Sequence, residues 1–547
     1  MTRLPDRPNI DLLKKQAKDL LAACRRGDPG AFARLRAGLP GRVPGIPELR
    51  LHDAQFCLAR EYGFPSWAEL SRYVAAARAL AADRGQRLAT WLGLVYAGDI
   101  CGGMNRASPA AAARLLDLDP DLPGGDPHLA CAVGDLAVLR AATARDPGWV
   151  GRPGGPLALP PLVAVTHSGL VRLPRFRAAL HDAARFLLEA GADPDQAAGS
   201  RWPPASPAAP AADMPLSALY GAAGQNRDPA LTRLLLAAGA DPNDGESLYH
   251  ALESAECTGL LLAAGARVAG TNALYRALDL DDVAVLKMLL AAGADPNTPA
   301  AGAPMAAGWG HPLLWAIRRR RSPAHVEALL AAGADAAVRA PDGTGAYGLA
   351  LRFGLTEVAE MLAAAGHAEP LSEDEQFIAA CAAGDEATAR RLQARRPDLP
   401  GALAPARLSL LSELAALGRG AAVEVMVRLG WPIESRGGDW AASALNQAVF
   451  IGDAAMTRFL LEHGADWQAR HGFGDNACGT LSWASVNEPA DGGDWPGCAE
   501  ALIAAGMPGG RPDPRGGGHV LIHGQVKLFA PSVADVLTGE AAAAPET

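Results

Sequence analysis

The sequence predicts an all-α protein, a helical-repeat solenoid preceded by a small helical N-terminal domain, and three observations lead there. The phrase LLAAGADPN stands at residues 235–243 and again, letter for letter, at 289–297, with LLAAGAD at 329–335. A Leu followed three positions later by an Ala precedes most such endings, as in Leu219/Ala222, Leu248/Ala251, Leu274/Ala277, Leu313/Ala316, Leu445/Ala448 and Leu481/Ala484. Residues 1–82 also carry helical patterns but lack the ending.

The N-terminal module, residues 1–82, holds four helical stretches separated by caps or breakers: NIDLLKKQAKDLLAACRRGD, DPGAFARLRAGL, LHDAQFCLAREYG and PSWAELSRYVAAARAL. Degenerate units follow at 86–210, seen in LACAVGDLAVLRAATARDP and AARFLLEAGADPD. The better units occupy 213–508. There the repeated phrase has a physical reading. Leu231, Leu234 and Leu235 share one helix face, and Ala237 and Ala238 let a neighbouring helix come close. Gly239 ends the helix in a left-handed conformation, Pro242 cannot extend it, and Asp241 before the proline is pushed toward an extended backbone. The same ending recurs at Gly191, Gly265, Gly293, Gly333, Gly366, Gly430, Gly464 and Gly506. Each unit is thus a pair of short antiparallel helices that buries its apolar face only by stacking on the next. Residues 511–547 read as a glycine linker, a capping strand or helix and a loose tail.

Helix pairs that end in LLLxxGADxN resemble ankyrin repeats, whose usual period is about 33 residues. The resemblance covers roughly three-quarters of the chain and implies an ankyrin-type solenoid. It departs from the family in the first helix, where the T-P-L-H tetrapeptide is nowhere intact and its His position holds Tyr220, Tyr249, Tyr275, Leu314, Asn446 and Ser482. Spacing departs too. The intervals from Gly239 to Gly265 and from Gly265 to Gly293 require trimmed turns, while Pro/Ala/Gly-rich insertions at 196–215 and 298–312 are expected as long loops. The N-terminal module, with LLKKQAKDLL and AREYGFPSW, is similar to a small helical module found ahead of ankyrin arrays in bacterial proteins, which brings no biochemical role with it.

Composition narrows the function. Of 547 residues, 49% are hydrophobic and 20% charged, ordinary for a globular chain with a large core. A net charge of −9 spread along the sequence argues against a nucleic-acid surface, and 5% aromatics leave little for base stacking. The start lacks a signal-peptide pattern and no stretch reaches membrane-spanning length, which points to a cytoplasmic protein without membrane contact. The eight scattered cysteines read as small buried residues in a reducing compartment.

Four stretches carry residues with chemical potential. HGFGDNACGTLSWASVNEP at 471–489 gathers His471, Asp475, Asn476, Cys478 and Ser482; it fails as a phosphate loop on glycine spacing. It allows a Cys/His dyad or, as favoured here, a long hairpin of turn-forming residues. HVLIH offers His519 and His523 but no third metal ligand, so no metal site or cofactor is expected. The run Arg318 to Arg321 can grip a phosphate or an acidic partner, but it also sits at the end of a first helix, where cations suit the helix dipole, and that reading is favoured. SEDEQ has the form of a capping box, Ser372 with Glu375.

In ankyrin arrays the hairpin tips and first-helix ends line a concave groove that binds proteins. Carried onto this sequence, the resemblance implies partner-binding positions at Gln225, Glu253, Asp279, Arg318, Arg352, Phe450 and Asn487. The expectation is a monomeric, non-catalytic scaffold or adaptor for a protein partner. The alternatives are a specific inhibitor or immunity-type binder of one enzyme, or a hydrolase-type enzyme built on the loop between His471 and Ser482.

Overall fold

The computed structural model describes residues 4, 8–39, 49, 51–79, 83–299, 310–340, 342–490, 492–514 and 518–539. Most of the insertion expected at 298–312, part of the glycine linker and the end of the tail lie outside them. The protein is mostly helical, and the chain forms two compact units, Met1–Arg267 and Val268–Thr547. This division falls inside the array expected at 213–508.

In the first unit the helices Ile10–Arg25, Pro29–Gly38, Leu51–Glu61 and Trp67–Ala79 pack together around Leu13, Ala17, Leu58, Phe64 and Leu70. Asp28 starts the second of these by accepting from the Gly30 and Ala31 amides. Further along, Pro174–Glu189 packs on Pro229–Ala237, which packs on Ala255–Ala263, so successive second helices form one layer. The short interval after Gly239 is met by a five-residue first helix, Ser247–Ala251. The Pro/Ala-rich insertion is more ordered than a loop: Ala197–Ser200 pairs antiparallel with Ala211–Ser217.

In the second unit first helices stack on first helices, Ala273–Leu280 on Pro312–Arg318 on Ala346–Arg352 on Glu373–Ala383. Glu373–Ala383 packs in turn on Gly420–Arg428, and Leu410–Ala416, Ala444–Ile451 and Ala477–Asn487 stack one on the next. The second helices Val283–Ala291, Pro323–Ala331 and Thr356–Ala364 stack alongside. A continuous apolar core runs through the stack, from Leu313 to Leu537. Its end is covered by an antiparallel sheet, Arg511–Pro512, His519–Ile522 and Gln525–Leu528, and by the helix Pro531–Leu537, whose Val533 and Leu537 join the core.

The repeated phrase acts as a helix terminator. All nine glycines named from the sequence have φ between 85° and 97°. The residue after each glycine donates to a carbonyl five positions back, as Ala240 does to Leu235 (3.1 Å) and Ala334 to Leu329 (2.9 Å), which closes a Schellman turn. The Asp of the phrase then accepts from the amide two residues on, 2.9 Å at Asp241 and at Asp295. Its Asn ties one turn to the next. Asn243 Oδ1 accepts from the Arg267 amide (2.9 Å) in the first unit. In the second, Asn297 accepts from the Asp335 amide and donates to the Gly333 carbonyl, both at 2.8 Å.

The capping box forms on one side only. Ser372 Oγ accepts from the Glu375 amide (3.2 Å), but the Glu375 carboxylate is drawn to Arg352 (2.9 Å) and Arg407 (3.1 Å) instead of returning to Ser372.

Candidate functional site

Side chains at the C-terminal ends of first helices meet groups brought in from distant parts of their own unit. Within the first unit the Gln225 amide donates to Asp99 Oδ2, beside the Tyr220 hydroxyl at 3.2 Å from the same oxygen, and exposed Glu253 pairs with Arg227 at 2.6 Å.

In the second unit the row is denser. Arg318 is 3% exposed and is held by Glu413 and Asp439, each at 2.7 Å. Arg319 reaches Asp279 at 2.8 Å and also Asp439, with its guanidinium 4.5 Å from the Trp315 ring centre. Trp315 Nε1 donates to the same Asp279 at 2.9 Å. Burial works against charge on Arg318, yet Glu413 and Asp439 raise its pKa overall; burial likewise opposes charge on Asp439, yet Arg318 and Arg319 hold it below the ordinary carboxylate value. Arg321 pairs with Asp281 at 2.9 Å. Three members of the basic run therefore face carboxylates of their own chain. Arg352 is 4% exposed and bonded to Asp342 (2.8 Å) and Glu375 (2.9 Å). Arg318 and Arg352, two of the expected partner-binding positions, are thus buried in internal ion pairs.

Phe450 and Asn487 occupy a different setting. Phe450 stacks on Trp483, with ring centres 5.4 Å apart and planes 8° from parallel, and its other neighbour is Trp440 at 5.5 Å. Trp440 meets His471 edge-on at 4.8 Å, and His471 meets Phe473 at 6.1 Å. Asn487 donates to the Trp483 carbonyl one helical turn back, at 2.9 Å. A five-ring ladder results, Phe473, His471, Trp440, Phe450 and Trp483, drawn from a hairpin tip, two first helices and the loop at 471–476. The loop is pinned by the Gly472 amide on the Trp440 carbonyl (2.8 Å) and by Lys527 on Asp475 (2.7 Å). Phe473 is 75% exposed and Trp483 45%, so the ladder ends in solvent.

Phe450 and the loop starting at His471 were separate readings in the sequence, and the fold brings them together. Trp440, Trp483, Glu413 and Asp439 were not singled out. The available signal for the first was a Trp placed directly after the turn-forming GGD, where a hairpin tip was due.

The nucleophile candidates are engaged elsewhere. Cys478 is fully buried, and burial pushes its thiol up to about 11. His471 Nδ1 accepts from the Phe473 amide (3.2 Å), and Ser482 Oγ donates to the Leu528 carbonyl (2.7 Å). His519 opens a strand while His523 sits in the turn after it with φ 51°, its ring 5.2 Å from Trp467. Among the described residues no three His, Cys, Asp or Glu side chains gather as a metal site, and no helix is long and apolar enough to cross a membrane. What the ladder offers chemically is π-face and ring-edge contact with apolar or cationic side chains. Neither a protein-family model nor a curated protein sequence matches this chain.

Proposed function

We propose that the protein is a non-catalytic binding module of the ankyrin-repeat type, which engages a protein partner through the aromatic ladder of its second unit. One observation carries this reading: in a chain with 5% Phe, Trp and Tyr, four such rings and one histidine, drawn from four elements, form a continuous ladder whose two ends are exposed. Rigid aromatics beside arginines are the side chains that most often dominate binding energy at protein interfaces. The partner fitting this surface is a protein segment carrying apolar and cationic side chains, the cations meeting ring faces. The Arg318 network then serves as the support that keeps Asp439 and the adjoining Trp440 in place. The eight cysteines are free, which suits a reducing compartment, and a cytoplasmic location belongs to the same proposal.

The test compares the intact chain with a Phe473→Ala/Trp483→Ala variant as baits, followed by titration of the captured protein in purified form. A partner that binds the intact chain and loses at least tenfold in affinity for a variant with an unchanged melt supports the reading. Equal capture by both baits, or none by either, overturns it.

A further inference from the structure

The first unit contains an open cleft of about 550 Å³ lined by four arginines, Arg172, Arg177, Arg227 and Arg233. Arg227 is neutralised by Glu253 (2.6 Å) and Arg233 faces Glu256 (3.2 Å). Arg172 and Arg177 are different. Arg172 donates to Asn226 Oδ1 (3.0 Å) and the Gln225 carbonyl (2.7 Å), and Arg177 to the carbonyls of Val171 (3.3 Å) and Arg172 (3.2 Å). Among the described residues neither forms an ion pair with a carboxylate, although both are exposed in the cleft. Asp228, the remaining acid in the lining, is spent on capping the helix Pro229–Ala237 and on His181 at 2.9 Å. The crowding shows in the titration of Arg172, which is exposed at the cleft yet has its pKa lowered by desolvation among its neighbours and by the charges of Arg227 and Arg106, with Glu69 opposing.

We infer that this cleft binds a phosphate-bearing anion. Guanidinium forks match the oxygens of a phosphoryl group in pairs, and two that lack a carboxylate of their own gain charge-assisted hydrogen bonds when such a group enters. The open cleft has room for more than a single phosphate, so a diphosphate or a phosphate on a larger body also fits. The amides of Ala230 and Leu231 are already capped by Asp228, which leaves recognition to the guanidinium groups.

The experiment titrates the full-length protein with inorganic pyrophosphate by calorimetry, and in a second arm co-sediments it with vesicles containing a phosphatidylinositol phosphate. Three variants accompany it: Arg177→Glu, Arg172→Gln, and Arg185→Gln as a control that pairs with Asp182 on the same helix outside the cleft. Binding in either arm that falls at least tenfold in Arg177→Glu or Arg172→Gln, persists in Arg185→Gln and weakens with added chloride supports the site. Binding of pyrophosphate alone marks a soluble ligand; binding of the vesicles alone marks a lipid headgroup. Absence of binding in both arms, or binding indifferent to both cleft substitutions in variants whose melts match the parent, overturns it.

Discussion

Phe450 and Trp483 stand face to face, ring centres 5.4 Å apart and planes 8° from parallel, on the helices Ala444–Ile451 and Ala477–Asn487 that follow one another in the stack. The pairing links two successive first helices of the second unit at their ends, and it leaves Trp483 45% exposed although Phe450 covers one face. A ring fixed on one side and open on the other loses little rotamer freedom on binding, which is what distinguishes an anchor from a merely exposed residue.

Replacing Trp483 with Ala is therefore expected to weaken partner binding about 30-fold, the equivalent of about 2 kcal/mol for an interface anchor. Its effect on stability should stay near 1 kcal/mol, the typical value of one aromatic pair. Paired titrations and urea melts separate the two effects. A melt that shifts by several kcal/mol while affinity holds would assign Trp483 to construction.

The terminating glycines allow a contrast within the second unit. A Cβ on Gly333, φ 94°, would meet no atom within 4 Å, so Gly333→Ala carries only the backbone cost of the left-handed region, about 1–2 kcal/mol. A Cβ on Gly452, φ 71°, would come within 2.6 Å of the Gly493 backbone. Gly452→Ala is expected to cost about 1–3 kcal/mol beyond the first figure because the neighbouring turn must move. Equal denaturation midpoints for the two variants would contradict this.

The range of each interaction decides how much of the fold is legible in the sequence. The terminators were legible because a left-handed glycine, its proline and its apolar face lie within about ten residues and recur. The tie from Asn297 to Asp335 was not, since it joins residues 38 apart and asparagine at a turn already has a local explanation. The expected partner-binding positions rest on counting from the first helix. Counting puts Arg318 and Phe450 at the ends of their helices but could not say that Glu413, 95 residues away, would bury the arginine, or that Trp483 would cover the phenylalanine. Long-range charge and ring pairing depend on the stack, and a single sequence carries no signal for it.

Arg318 supplies a test of that buried pairing. Arg318→Met leaves Glu413, 8% exposed, without its principal cation and should cost about 3–5 kcal/mol. Adding Glu413→Leu removes the stranded charge, and the double variant is expected to recover most of the loss. A double-mutant cycle by urea denaturation reads the coupling directly. Additive losses would mean that the two side chains do not depend on each other.

The last expectation concerns acid and the loop that ends the ladder. His471 has its pKa lowered by burial, with Asp475 opposing and Lys527 assisting, and its Nδ1 must stay unprotonated to accept from the Phe473 amide. The folded pKa lies below the unfolded value of about 6.5, so the unfolded chain takes up the proton first. Stability is thus fully present above about pH 6.5 and declines as pH falls toward the folded pKa. His167 and His325, also lowered by burial, act in the same direction, whereas Asp439 and Asp475, held below the ordinary carboxylate value, contribute losses only below about pH 4. Urea midpoints at pH 7.5 and 5.5 should therefore fall for the parent and fall less for His471→Asn, whose amide oxygen can accept the same hydrogen bond without titrating. The aromatic loop should follow: hydrogen exchange in residues 471–476, corrected for the intrinsic pH dependence, is expected to accelerate at pH 5.5 in the parent and not in His471→Asn. If the parent loop is equally protected at both pH values, the imidazole does not govern the position of Phe473.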